Sequence, residues 1–500
     1  MQPAEYLACD ATDLAQAVAR GDVSAGELLD LALQQHVRVH GRINAICRLM
    51  EAQARAQLAG PLAGPLAGVP FLIKDIAHDY AGVPTTQGSR ALRGYVPAVS
   101  SAVVRRFLDA GLVIFGKTNL PELALKAVTD PRLHGRSNNP WDTSRTPGGS
   151  SGGAAAAVAA GVVPMAAAND GGGSIRIPAA FCGLFGLRPS RGRVSAGPAQ
   201  GEVWHGASSE GVISRSVRDT ALALDLLVGP EGGDPFHVPA PPAPYALLAL
   251  RDPPRLRIGF SSASPLGTPV HPEAVAAVEG AARLLQHLGH EVEEAAPAVD
   301  GWALAHSYLH MYFGVVAASV AAARAQGARA DDFELLTRLA ATLGNAVSAG
   351  RLTRELDRWN DFARGLAQFH RRYDLWLSPT VAHPPMRHGA GDLGGLQTAG
   401  LALAQRTGLL AALARLGLLD GMVERIAGEN LQYVPYTQLA NLTGTPAMSV
   451  PLHWTAEGLP LGVQFVARFG AEDRLLQLAH QLERAQPWAA RRPPLAGAAP

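Results

Sequence analysis

One stretch constrains this chain more than any other: Thr146 to Ser195, reading TPGGSSGGAAAAVAAGVVPMAAANDGGGSIRIPAAFCGLFGLRPSRGRVS. It carries two glycine-wrapped serine sites, Ser150–Ser151 and Ser174. A small-residue helix candidate (Gly152–Gly161) and a short strand candidate (Val162–Ala168) separate them. Glycine is costly to order, so glycines this dense mark backbone that must turn sharply or approach something closely. Serines held in such backbone are candidates for nucleophilic chemistry.

The competing reading is helix capping, since Ser150 and Ser151 precede one helix candidate and Ser174 another. Capping leaves the Gly171-Gly172-Gly173 run before Ser174 unexplained. Consecutive small residues can turn successive N–H groups toward one point, which is how an oxyanion hole is built. A serine nucleophile also needs a base, and no histidine lies near either serine within the stretch. Lys74 ends the apolar run Val69–Lys74 (VPFLIK) and is an alternative base, because lysine loses its charge readily when desolvated. A lone lysine at a strand end is more often a solvated end-cap, so the residues by themselves leave both readings open.

Three other patterns carry less. Gly111 to Thr118 satisfies the letters of the Walker A phosphate loop, but LVIF, an apolar strand, fills the place of the flexible loop. Gly148 to Gly152 matches the G-x-S-x-G nucleophile elbow, yet polar loop precedes it where an elbow requires a strand. His306 and His310 have the i, i+4 spacing of a metal pair without an HExxH motif or a third ligand, so no metal and no cofactor is expected.

Along the chain, helices are expected over Asp10–Arg20, Ser24–His40 and Asn44–Leu58, the second opened by Ser24 and Glu27 in capping-box spacing. Further helices are expected at Ser100–Ala110, from Ser216, at Pro272–Leu288, through most of 300–375, and at Ala471–Ala485. Strands are expected at Val69–Lys74, Leu112–Phe115, Leu256–Ser261, Leu375–Pro379, Asn441–Leu452 and Gly462–Ala467, and a glycine-rich loop at Gly389–Gly395. This alternation implies an α/β protein with a mixed, largely parallel sheet. A formal net charge of +1 over 500 residues gives no electrostatic support to a nucleic-acid or acidic-membrane partner. Three widely spaced cysteines suit a reducing compartment without a disulfide framework. With no visible secretory signal or membrane span, a cytoplasmic location is expected.

Taken together, GVPFLIKD, PGGSSGG and NDGGGSIRIPAAFCGLFGLRPSRGRVS closely resemble the amidase signature family. GKTNLPE, NNPWD, LSPT, NLTGTPAMSVP and GLPLGVQFVARFGAEDRLLQLA resemble that family's landmarks in its order, so the likeness covers nearly the whole chain. The least family-like part is roughly residues 300–435. The resemblance implies a single domain over residues 1–500, an α/β amidase signature fold with a large mixed sheet covered on both sides by helices. Within it the signature core spans about 65–230, a variable, mostly helical pocket region about 300–435, and terminal strands and helix 436–486.

It also implies a Ser–cis-Ser–Lys triad with Ser174 as nucleophile, Ser150 as bridging serine and Lys74 as terminal base. The oxyanion hole would come from the N–H groups of Gly171, Gly172 and Gly173, with that of Ser174 as a further donor. Ser151, Asp170 and Arg176 match supporting positions. Asn169 and Gly171 depart from the usual Thr-Asp-Thr, and the extra glycine is expected to loosen the nest; Arg188 stands where lysine is usual. The Asn-Asp version resembles the nylon-oligomer-hydrolase branch. The implied activity is hydrolysis of a C–N amide bond in a small, rather apolar amide or carbamate, through an acyl-enzyme. The alternatives are the glutamine-hydrolysing A subunit of a tRNA-dependent amidotransferase and a catalytically silent binding protein. Oligomeric state is left open, a homodimer among the options.

Overall fold

The apolar runs of the sequence become strands of one eleven-stranded sheet in a computed structural model that describes residues 1–390, 394–416, 421 and 427–497. In chain order the strands are β1 (Ile46–Leu49), β2 (Pro70–Lys74), β3 (Val113–Thr118), β4 (Met165–Asp170), β5 (Phe185–Arg188) and β6 (Ser209–Ser214). The remainder are β7 (Arg257–Phe260), β8 (Glu291–Glu294), β9 (Leu375–Pro379), β10 (Ala447–Trp454) and β11 (Pro460–Ala467). Across the sheet they run β1-β3-β2-β4-β6-β5-β10-β11-β9-β7-β8. Every residue of β4, β9 and β11 is buried. Successive side chains in a strand point to opposite faces, so the helices cover the middle of the sheet on both sides.

The sheet is mixed, as expected, but not largely parallel. Parallel pairing is confined to β2 with β3 and β4, and to β7 with β8 and β9. The centre is antiparallel: β4 with β6, β6 with β5, β5 with β10, β10 with β11 and β11 with β9, as is the β1–β3 edge. Two of those central strands, FGLR (β5) and SEGVIS (β6), are short and mix polar residues with glycine, so their hydrophobic pattern is weak.

Boundaries moved where a left-handed residue stops a helix. Asn44 (φ 44°) ends the helix Ala25–Ile43, so the expected helix Asn44–Leu58 begins only at Glu51 and its first part joins β3 as an edge strand. Gly444 (φ 75°) likewise closes a helix over Gln438–Thr443, and the strand expected from Asn441 starts at Ala447. The strand expected at Val162–Ala168 lies two to three residues later, at Met165–Asp170. Gly116 and Lys117 fall inside β3, with Lys117 Nζ bonded to Thr85 Oγ1 at 2.6 Å, so the Walker A letters sit on a strand. His310 Nδ1 bonds the His306 carbonyl at 2.7 Å within their own helix turn, which is ordinary helix packing. Residues 391–393 of the expected Gly389–Gly395 loop lie outside the described residues. No helix among the described residues is long and apolar enough to cross a membrane.

Candidate active site

β2 and β4 are parallel neighbours, with Leu72 opposite Ala166, so their C-terminal ends open at the same side of the sheet. One ends in Lys74 and the other in Asn169 and Asp170. Lys74 is fully buried. Its Nζ lies 2.8 Å from Ser150 Oγ and 2.6 Å from Asn169 Oδ1. The Gly149–Ser150 peptide bond is cis.

Burial lowers the Lys74 ammonium to a pKa of about 7, against the opposing pull of the Glu210 and Asp170 carboxylates. Near neutrality the neutral form of this amine is therefore accessible, and a neutral amine can accept the Ser150 proton while donating to Asn169. The surroundings of Lys74 are fixed too. Its backbone N–H donates to His78 Nδ1 at 2.9 Å, so Nε2 of that imidazole carries the proton shared with Glu210 Oε2 at 2.7 Å. Glu210 stands opposite Asn169 in the β4–β6 pairing.

The capping reading of the serines fails. Ser151 occupies the N-cap position of the Gly152–Ala159 helix, but its side chain makes no capping bond and instead donates to the Asn169 carbonyl at 3.3 Å. The next helix starts at Arg176 behind Ile175, so Ser174 caps nothing. Ser174 is half-buried among buried neighbours. Its carbonyl accepts from the Ser151 N–H at 3.3 Å, which ties the two serine sites together. Its hydroxyl has no hydrogen-bond partner among the described residues.

The glycine nest is held from below. Asp170 accepts from Gly173 N–H at 2.7 Å and Ile175 N–H at 3.1 Å, and from Arg176 through Nε and Nη2 at 2.9 and 2.8 Å. Burial alone would push the Asp170 carboxyl up, yet the Arg176 guanidinium, with help from Arg188 and Asn441, holds it well below the carboxylate range. Arg176 is fully buried and reaches the Thr437 carbonyl, Gln464 Oε1 and Asn441 Oδ1 at 2.6–2.9 Å. The Gly172 carbonyl is pinned by Thr437 Oγ1 at 2.6 Å and Gln438 Nε2 at 3.3 Å. With Gly173 N–H taken by Asp170, the amides of Gly171, Gly172 and Ser174 are the ones left without a partner among the described residues. Gly171 does not stand in empty space, because a Cβ there would sit 2.9 Å from the Trp204 ring. The extra glycine thus admits an aromatic side chain. Arg188 is buried and donates to the carbonyls of Thr445 (2.6 Å), Pro189 (3.0 Å) and Ala207 (3.2 Å).

With this geometry in view, the model of the family described as Amidase matches residues 27–404 and 424–476. The chain belongs to the amidase family. This amidase is 36% identical over 499 residues to the 6-aminohexanoate-cyclic-dimer hydrolase of Paenarthrobacter ureafaciens, covering 97% of this chain and 96% of that one. It is 38% identical over 504 residues to the putative amidase AmiB2 of Mycobacterium tuberculosis, covering 99% of both. Its fold matches a solved 6-aminohexanoate cyclic dimer hydrolase complexed with substrate at a TM-score of 0.89, with 34% identity, over 98% of this chain and 100% of the other. As a family member it is a hydrolase of C–N amide bonds in small molecules.

The sequence reading assigned no role to Asn169, His78, Glu210, Thr437, Gln438, Asn441 or Gln464. Asn169 was visible as a departure from the family pattern, and Asn441 and Thr437 lie in or beside the NLTGTP landmark. His78 and Glu210 had no signal, since only the fold brings them under Lys74.

Two measurements follow from the Lys74 environment. The rate at limiting substrate is expected to rise with pH and level off above a midpoint near 7, because only the neutral amine can take up a proton. Asn169→Asp sets a carboxylate where Oδ1 now touches Nζ, which favours the ammonium. The midpoint should move up by about one pH unit or more; a profile that stays in place would separate Lys74 from the titrating base.

Proposed function

We propose that this amidase cleaves a small, rather apolar amide through an acyl-enzyme formed on Ser174. The observation that carries the reading is the buried, readily neutralised Lys74 bonded to Ser150, beside a glycine nest that ends in Ser174. In the proposed sequence Ser174 Oγ attacks the amide carbon, its proton passes to Ser150 Oγ, and the Ser150 proton passes to Lys74 Nζ. The carbonyl oxygen, now negative, accepts from the free nest amides of Gly171, Gly172 and Ser174. Collapse breaks the C–N bond, and the departing nitrogen receives a proton from Ser150, resupplied by Lys74. Water then repeats the relay on the ester carbonyl and releases the acid.

The substrate class we infer is a rather apolar oligoamide, cyclic or linear, with aryl amides and carbamates as further members. Two features support it: the kinship with the cyclic-dimer hydrolase, and the aromatic side chains of Trp204, Tyr308 and Tyr312 gathered over the nest. The free thiols Cys9, Cys47 and Cys182 fit a cytoplasmic location. The test is a panel of cyclic and linear 6-aminohexanoate oligomers, aryl amides, carbamates and glutamine, each assayed by amine or ammonia release on the purified chain. Oligoamide or aryl-amide turnover is expected, together with fluorophosphonate labelling that disappears in Ser174→Ala. A preference for glutamine, or labelling that survives the substitution, would overturn the reading.

A further inference from the structure

Tyr308 lies on the long helix Gly301–Ala325, which also carries Tyr312 one turn further on. The two rings stack at 6.1 Å with an interplanar angle of 29°. Tyr312 is anchored twice, by a hydrogen bond from its hydroxyl to the Leu125 carbonyl at 2.8 Å and by an edge contact with Trp204 at 5.8 Å. Trp204 itself sits in the left-handed region (φ 56°), a conformation that a bulky residue adopts only when its surroundings impose it. These contacts fix the Tyr308 ring in place from the side.

The end of that ring is aimed at the nest. The Tyr308 hydroxyl fills the space that a Cβ on Gly172 would take. Only 8% of the residue is exposed, yet the hydroxyl has no hydrogen-bond partner among the described residues. Tyr312, its stacking neighbour, has its own hydroxyl satisfied. The Tyr308 hydroxyl is unpaired within the described residues and not sealed from solvent, so its proton is available to a ligand. Burial pushes the phenol up, so it stays a donor at every pH at which the enzyme works.

We infer that Tyr308 is a side-chain member of the oxyanion hole, donating from its hydroxyl to the amide oxygen beside the N–H of Gly172. The inference rests on the acyl-enzyme reading above and adds to it a residue outside the signature block. It gives the site one side-chain donor beside three from backbone. It also brings part of the electrostatic machinery to the helix that shapes the pocket, so that substrate choice and charge stabilisation share one element.

The test compares Tyr308→Phe with the unmodified enzyme on a substrate that the unmodified enzyme turns over and Ser174→Ala does not, so that the underlying reading is checked separately. A donor used in the transition state predicts that kcat falls by about 10- to 100-fold while KM moves little. It also predicts weaker inhibition, by a similar factor, by a trifluoromethyl ketone that captures Ser174 as a tetrahedral oxyanion. Binding of an unreactive N-methyl amine product should be unchanged, which a collapsed pocket would not allow. If Tyr308→Phe does not fold, 3-fluorotyrosine at position 308, with the same ring and a more acidic hydroxyl, should leave kcat unchanged or raise it. Unchanged kcat and unchanged ketone affinity in Tyr308→Phe, or a loss confined to KM, or a fall in kcat with 3-fluorotyrosine, would overturn the assignment.

Discussion

Ser174→Ala is expected to abolish amide turnover, with kcat falling by at least about 10⁴-fold, and Lys74→Met by a comparable factor. The two losses should not add in a double variant. Groups that work as one unit fail together, and what remains is the background supplied by binding and by the nest amides. The proposed unit includes Lys74 although it is distant in sequence. Its amine is buried, touches Ser150 at 2.8 Å, and has no exposed surface through which water could replace it. Lys74→Met keeps the bulk of the side chain and should leave the thermal midpoint close to that of the parent. Lys74→Arg would not rescue activity, since a guanidinium stays charged at any working pH. Steady-state kinetics with a chromogenic aryl amide, and acyl-enzyme detection by intact-mass spectrometry after a short quench, check both claims. Substantial turnover by Ser174→Ala would remove this serine from the reaction.

The second large effect concerns stability. Arg176→Met should cost about 3–5 kcal/mol, because it leaves the Asp170 carboxylate buried without its counter-ion. Asp170 would keep its bonds to Gly173, Ile175 and Asn441, but those are hydrogen bonds to a charge that nothing else fully neutralises. Asp170→Asn should cost less in a chain that already carries Arg176→Met than in the parent, since removing the second charge relieves the first. Denaturant midpoints for the four forms measure this directly. A cycle with no coupling would mean that the pair does not act as a pair.

Much of this was legible in the sequence, and the part that was not has a common cause. The apolar runs VPFLIK and LWLSP announced β2 and β9, with matching ends at Lys74 and Pro379. The glycines around Ser150 and Ser174 announced a tight backbone, and the fold brings Lys74, Ser150 and Asn169 into one hydrogen-bonded group. β5, β6 and β8 were missed because FGLR, SEGVIS and EVEE lack an apolar period and owe their state to neighbours in the sheet. The sheet's antiparallel centre was missed for the same reason, since pairing is a property of the assembled sheet. The residues that steady the site, His78, Glu210, Thr437 and Gln464, come from four separate segments. Their meaning exists only in three dimensions.

The hold of Arg176 on Thr437, Asn441 and Gln464 has a consequence for the way the molecule is made. The nest is synthesised well before its brace, which comes from Thr437, Asn441 and Gln464. A nascent chain that has emerged only as far as β9 holds the Asp170–Arg176 pair without its partners Thr437, Asn441 and Gln464. Hydrolytic competence should therefore arrive late in synthesis, after β10 and β11 have docked. A ribosome-stalled chain ending before Gln438 should be inert toward a fluorophosphonate that labels the released protein.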